Sequence, residues 1–262
     1  MNTEQRVKSW SELNDLLFGN IYDNRLGRHR SSFAYRGLCR PFEELRTSIM
    51  GLGQDPGDIE SHLLRNFRKY ARRDAVAVDT VWDWLALAQH HGVPTRMLDW
   101  SFSPDVALHF ATADTRDFSE DGVVWCVDYA KSKEHLPSIL KKALQDEGSD
   151  VFTAELLNRV AQDLGELEKL DKKAFPVFLE PPSLDDRIVN QSALFSLMSR
   201  AGTTLHEWLK DRPELCRRIV LPAELKWEVR DKLDQAGVTE RVLFPGLDGL
   251  SRWLKRYYSV RK

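Results

Sequence analysis

Leu85-Ala86-Leu87-Ala88-Gln89-His90-His91-Gly92-Val93-Pro94-Thr95-Arg96-Met97-Leu98-Asp99-Trp100-Ser101-Phe102-Ser103-Pro104 decides how this chain is read. Upstream, Thr80 is placed to cap a helix whose apolar residues Val81, Trp84, Leu85 and Ala88 recur at helical spacing. Gly92 suits the left-handed conformation just past a helix end, and Pro94 forbids continuation. Residues 95–100 then read as a strand centred on Met97 and Leu98. Ser103-Pro104-Asp105 is a helix start: a capping hydroxyl, a proline suited to the first turn, and an acid at the positive end of the dipole. Val106, Leu108, Phe110 and Ala111 make that helix apolar enough to pack on a sheet. Local punctuation explains the glycine and the prolines. It does not explain why His90, His91, Thr95, Arg96, Asp99 and Ser101 crowd a strand that should be buried, since every buried polar group needs a partner.

The 262 residues make one large domain or two small ones, and 42% hydrophobic content with eight tryptophans supports a packed core. A formal net charge of -2 gives no general attraction to nucleic acid or membrane, so a polyanion site would be a local patch. Cys39, Cys126 and Cys216 are widely spaced, which argues against a disulfide framework or zinc site and fits a reducing cytoplasm. Cys126 reads as a core residue. His62, His91, His109, His135 and His206 show no metal-ligand spacing, and no metal is expected. With no long apolar run and no signal-peptide pattern, a soluble cytoplasmic protein without membrane contact is expected.

Along the chain, residues 7–18 read as an amphipathic helix with Trp10, Leu13, Leu16 and Leu17 on one side. Residues 31–38 read as a strand. Residues 42–73 read as mostly helical, interrupted by the loop composition of 51–57. The apolar run 123–129 reads as a central strand. The charged segment at about 131–172 reads as an inserted helical pair, weakest at 147–149. Strands are expected at 176–179, 193–197, 218–221 and 241–244, and helices at 203–210, 222–235 and 249–258. Strand and helix do not alternate regularly, so a doubly wound sheet is disfavoured. The expectation is a single α+β domain over 1–262, with a mixed, partly antiparallel central sheet flanked by helices.

Three segments could carry chemistry. Tyr35-Arg36-Gly37 places an arginine fork at a strand end beside a residue without Cβ, which suits a phosphate or a planar ligand. Taken alone, the triplet reads more simply as a surface salt bridge beside a turn glycine. In the opening segment, Arg96 and Asp99 could form a structural ion pair while His90 caps its helix. The third segment, Asp185-Asp186-Arg187-Ile188-Val189-Asn190-Gln191, reads by itself as a loop leading into an edge strand. Trp100 and Phe102 are ring-stacking candidates, or core residues beside Trp82 and Trp84. The runs 65–73 and 252–258 interleave cations with aromatics. They read either as nucleic-acid contacts or as helices with a solvated face over a buried aromatic stripe.

Gln89-His90-x-Gly92-x-Pro94-Thr95-Arg96-x-Leu98-Asp99-Trp100, followed by Ser103-Pro104-x-x-Ala107-Leu108-x-Phe110-Ala111, resembles the signature of the FRG domain family. Tyr35-Arg36-Gly37 matches the aromatic-Arg-Gly motif that names the family, and Arg187, Ile188, Gln191 and Phe195 match a downstream pattern. The layout is also similar, more weakly, to ADP-ribosyltransferases: Arg36-Gly37, then the 99–103 strand with Ala107 and Phe110, then Gln191. It departs from them in lacking Ser-Thr-Ser in the second motif and a late glutamate. That leaves the catalytic acid open between Gln191 and a nearby Glu180, Asp185 or Asp186.

The resemblance implies an ADP-ribosyltransferase-like fold and NAD as co-substrate, without a metal. It further implies transfer to a macromolecular acceptor, RNA or protein. Such proteins often act as toxins in bacterial toxin–antitoxin or phage-defence systems, which would bring an antitoxin partner. Arg36, Asp99 and Gln191 are then the catalytic candidates, and Tyr35, Gly37, His90, Thr95, Arg96 and Ser101 the cofactor-binding ones. The alternative is a non-catalytic module that senses a nucleotide or nucleic acid in the same pocket. A nuclease ranks lower, because no acidic cluster offers a metal site.

Overall fold

Nine strands form among the described residues, the central ones from alternating or continuous apolar runs, and their pairing sets where everything else sits. The computed structural model describes residues 4–19, 21–24, 26–42, 45–71, 80–183 and 185–260. The strands are β1 (Glu4–Arg6), β2 (Tyr22–Asp23), β3 (Arg28–His29), β4 (Phe33–Leu38), β5 (Met97–Ser101), β6 (Gly122–Asp128), β7 (Pro176–Leu179), β8 (Ala193–Met198) and β9 (Cys216–Leu221). Seven form one sheet in the order β1-β9-β6-β4-β5-β8-β7, and β2 pairs with β3. Every neighbour in the large sheet is antiparallel except β1 on β9. The protein is therefore α+β with a mixed central sheet flanked by helices. All seven residues of β6 are buried, as a continuous apolar strand requires when both faces are covered.

Alternate residues of a strand face opposite sides, and the core divides accordingly. Ala34, Leu98, Trp100, Trp125 and Leu194 pack in one cluster. Their strand neighbours enter two others: Tyr35, Val124 and Ile219 pack with Ala107 and Leu108, while Met97 and Leu197 pack with Trp82 and Leu85. Trp100 therefore lies in a different cluster from Trp82 and Trp84. Cys126 is fully buried, and burial pushes its thiol up to about 12.

Helix boundaries follow their caps. Ser9 accepts from the Glu12 N–H and starts the helix Trp10–Phe18. Thr80 and Asp83 form a reciprocal capping box that starts Val81–His90. Ser103 accepts from the Val106 N–H and starts Pro104–Ala111. Gly92 takes a φ of 77° beyond the second of these, as its position demands.

Some expectations change. Within 42–73 the regular structure is a short 3-10 turn, Ser48–Leu52, and the helix Pro56–Ala71; residues 43, 44, 72 and 73 lie outside the described ones. The charged segment carries three main helices rather than a pair: Ser138–Glu147, Ala154–Val160 and Leu164–Lys169. Leu140, Leu144, Leu157 and Leu167 join the core of Trp82 and Val177, so these helices form a layer on the sheet. Residues 241–244 are not a strand. Glu240–Leu243 is a helical turn closed by Phe244 N–H donating to Glu240 O. Asp186–Asn190 is likewise a helix rather than a loop, started by Asp185 accepting from the Ile188 N–H. The strand after it, β8, is interior, and β7 takes the edge.

Candidate functional site

The sheet comes apart between β4 and β5. Their ladder holds the single pair Tyr35↔Ser101, whereas β4 pairs with β6 and β5 with β8 along their full lengths. Beyond that pair the strands diverge, and a cleft of about 480 Å³ opens, within the range of small-molecule sites. Its walls come from β4 (Arg36, Gly37), β5 (Asp99, Ser101), the end of Val81–His90 (Gln89, His90), Pro104–Ala111 (Phe110) and the 187–195 segment (Arg187, Gln191, Phe195). All three sequence segments thus reach one cavity.

Arg36 and Asp99 face each other across the gap. Arg36 Nη1 donates to the Asp99 carbonyl at 2.6 Å and lies 3.9 Å from Asp99 Oδ2. The fork thereby supplies a donor to a strand carbonyl near the point where the strands part. The Asp99 side chain is 60% exposed, while that of Arg36 is 22% exposed. Asp99 Oδ2 accepts from Gln89 Nε2 at 2.8 Å. The Gln89 side-chain oxygen Oε1 in turn accepts from Thr95 Oγ1 at 2.5 Å. Thr95 therefore acts through Gln89: its hydroxyl fixes which end of the amide meets Asp99.

The far wall is held by its own bonds. His90 Nε2 lies 2.7 Å from Asp185 Oδ2, so His90 has a carboxylate partner and is more than a helix cap. Ser101 Oγ donates to the Gln191 carbonyl at 2.7 Å and accepts from the Ser103 N–H. Gln191 Nε2 donates to Leu243 O at 2.9 Å, and Asn190 Nδ2 to Val242 O at 2.8 Å. Gln191 thus lines the cleft and also anchors the C-terminal segment to it. Next to it, Ser192 has a φ of 46°, a conformation that costs a side-chain-bearing residue energy.

Arg96 lies away from the cleft, while Tyr35 and Gly37 border it and have packing roles as well. Arg96 is buried and does not pair with Asp99. Its guanidinium is ion-paired to the buried Glu60, whose other oxygen accepts from the Arg96 N–H at 2.9 Å, and Nη1 donates to Ser199 O. Tyr35 borders the cleft, but its hydroxyl bonds Ser31 Oγ and donates to Leu17 O on the other side of the strand. Burial raises its pKa. Gly37 is needed for packing, whatever it does for a ligand. A Cβ there would overlap the Ala107 carbonyl and crowd the Ala111 amide, so the Pro104–Ala111 helix crosses β4 at backbone contact distance. Trp100 is buried, with Nε1 donating to Ser196 Oγ at 2.8 Å, and Phe102 packs edge-on against Tyr129.

Several cleft residues escaped the sequence reading. Gln89 was visible within the motif without a role. Asp114 and Asp117 lie on the opposite rim and are bonded to Arg116 and Arg40. The Arg116 hydrogen bonds hold Asp114 down at about 2. Below that rim, the buried Lys226 ammonium donates to Cys39 O and Asp117 O, both at 2.8 Å, while burial lowers its pKa. Only the fold brings these distant positions to one mouth. Among the described residues, no group of three or more His, Cys, Asp or Glu could hold a metal ion. A larger and more open cleft of about 800 Å³ lies between Pro56–Ala71 and Val81–His90, with Arg65, Arg68 and Lys69 on its wall. It takes in part of the first cation–aromatic run. In the second run Arg256 is buried in ion pairs with Asp234 and Glu240, not solvated.

The family model described as FRG domain matches residues 31–120. That stretch is an FRG domain. It holds both strands of the parted pair, β4 and β5, together with the helices that supply Gln89, His90 and Phe110. The wall made by Arg187, Gln191 and Phe195 lies outside it, so the FRG stretch builds one side of the cleft and later residues close it. No curated protein and no solved structure matches the chain. No helix among the described residues is long and apolar enough to cross a membrane.

Proposed function

We propose that this FRG-domain protein is a NAD-dependent ADP-ribosyltransferase that modifies a macromolecular acceptor, RNA or protein. The observation that carries the reading is the meeting of Arg36, Asp99 and Gln191, from three distant segments, on one small-molecule-sized cleft. Cleaving nicotinamide from NAD builds positive charge on the ribose, and the enzyme must hold the diphosphate while a carboxylate faces that charge. Arg36 offers a guanidinium beside the cavity and Asp99 an exposed carboxylate fixed by Gln89. Gln191 and His90 line the same cleft, and in this reading they meet hydroxyl groups of the ligand. Phe110 and Phe195 supply apolar wall. In this reading the protein works in the cytoplasm as the toxin of a toxin–antitoxin or phage-defence system, held in check by an antitoxin.

The sensor reading draws on a different observation: the cleft's polar groups already bond one another, as in a preorganised binding site. His90 holds Asp185, Gln89 holds Asp99, and Gln191 holds Leu243. Purified protein incubated with labelled NAD and cell extract separates the two. Label transfer with nicotinamide release supports the transferase, and saturable NAD binding without turnover supports the sensor. Arg36→Ala and Asp99→Ala should each lower turnover by about 10²–10³-fold, the usual cost of losing one preorganised electrostatic contact. Full turnover in both variants would remove the catalytic reading.

A further inference from the structure

His90 stands on a wall shared by two clefts. One is the cavity of Arg36 and Asp99; the other, also about 480 Å³, is bounded by Asp185, Arg187, Phe244 and Arg252. Arg187 borders both, and its Nη1 reaches the His90 carbonyl at 3.5 Å. The Phe244 ring carries Arg187 at 5.1 Å and Arg252 at 5.4 Å, and Asp186 and Asp248 also line the second cleft, so it presents an aromatic ring among charges of both signs.

The histidine is oriented as a base would be. Its Nε2 meets Asp185 Oδ2 at 2.7 Å, and Asp185 Oδ1 accepts from the Ile188 N–H at 3.1 Å, which pins the carboxylate at a helix start. Burial pulls Asp185 up, but the bonds from Ile188 and His90 outweigh it and hold the carboxyl below its ordinary range. With Nε2 turned to Asp185, Nδ1 has no hydrogen-bond partner among the described residues, and the side chain keeps 11% of its surface exposed. A carboxylate on one ring nitrogen fixes the tautomer and stabilises the imidazolium that forms when the other takes a proton.

We infer, resting on the NAD-cleaving reading, that His90 and Asp185 are the base for an acceptor docked in the second cleft, and that the acceptor attacks through a protic group, a hydroxyl or N–H. A carboxylate acceptor would need no such base. In the step, the acceptor oxygen or nitrogen bonds to the ribose carbon. The bond from that carbon to the nicotinamide nitrogen breaks, and its electron pair leaves with neutral nicotinamide. The acceptor proton passes to His90 Nδ1 and from there to solvent.

Small nucleophiles test this without the natural acceptor. Water and methanol need a base, whereas azide is already an anion. NAD is incubated with the full chain in the presence of methanol or sodium azide, and ADP-ribose, its methyl glycoside and its azide are quantified. His90→Ala should lower the water and methanol products by about 10²–10⁴-fold, the usual contribution of a general base, while the azide product stays within a few-fold of wild type. Asp185→Asn keeps a capping residue at the helix start and should show the same split at smaller amplitude. If the azide product falls together with the others, or if none falls, His90 is not the base although NAD cleavage stands. If the wild-type protein releases no nicotinamide under any condition, the NAD-cleaving reading fails and the base fails with it.

Discussion

At the residue scale, the motif serves two ends. Asp99, Gln89 and His90 face the cleft, while Arg96, between Thr95 and Met97 in the same run, is turned into the core against Glu60. Breaking a buried ion pair from one side strands a charge. Glu60→Ala should therefore cost about 3–5 kcal/mol in denaturant unfolding, and replacing both partners by apolar residues should cost less. Equal costs would show that the pair is solvated. Closeness in the chain made Asp99 one candidate partner for Arg96; its real partner lies 36 positions upstream, on the helix Pro56–Ala71. Gly37 shows a similar limit. A glycine beside an arginine invites a ligand explanation, but the overlapping neighbour is the Ala107 carbonyl. Gly37→Ala should destabilise by about 1–3 kcal/mol or more through overpacking. An unchanged Tm would mean that the Pro104–Ala111 helix shifts freely.

At the element scale, caps and punctuation made the helix–strand–helix unit legible: Thr80, Gly92 and Ser103 do locally what their residue types favour. Short elements were harder to read. The apolar run in 241–244 suits a strand as well as a turn, and the deciding fact is the buried Glu240 paired with Arg230 and Arg256. The parting of β4 from β5 has no local signature. It depends on Arg36 reaching the Asp99 carbonyl and on Phe102 N–H donating to Ser192 O, which ties the exit of β5 to the start of β8. Ser192 holds its φ of 46° at that junction. Ser192→Gly should raise stability by about 1 kcal/mol by relieving the left-handed penalty. A loss instead would show that the side chain contributes more than the backbone strain costs.

At the scale of the whole molecule, the cleft's two sides are joined by a buried charged network. Arg230 is fully buried. Its Nη1 reaches His109 Nδ1 at 3.0 Å and its Nη2 reaches Glu240 at 2.9 Å; Arg256 binds Glu240 and Asp234. His109 sits on Pro104–Ala111, which forms one wall, while Glu240 belongs to the turn that Gln191 and Asn190 grip from the other. Burial, reinforced by the Arg230 charge, lowers His109 to about 3 from 6.5. The unfolded chain therefore binds a proton that the folded chain refuses between these values, and stability falls as pH drops through that window by up to about 1.4 kcal/mol per unit. Glu240, held near 2 against burial by Arg256 and Arg230, adds a loss that begins below its ordinary 4.5. Unfolding free energy measured from pH 7 to 4 should decline, and His109→Gln should flatten the upper part of that decline. An identical slope in the variant would place the acid sensitivity elsewhere.

The central claim is that the parted strands form a site for NAD. Isothermal titration of NAD into the wild-type protein, Arg36→Ala, and a control variant Arg65→Ala/Arg68→Ala in the larger cleft tests it most directly. Saturable one-site binding that is lost in the first variant and kept in the control is the predicted result. Binding that survives Arg36→Ala and disappears in the control, or no binding to the wild-type protein, would contradict it.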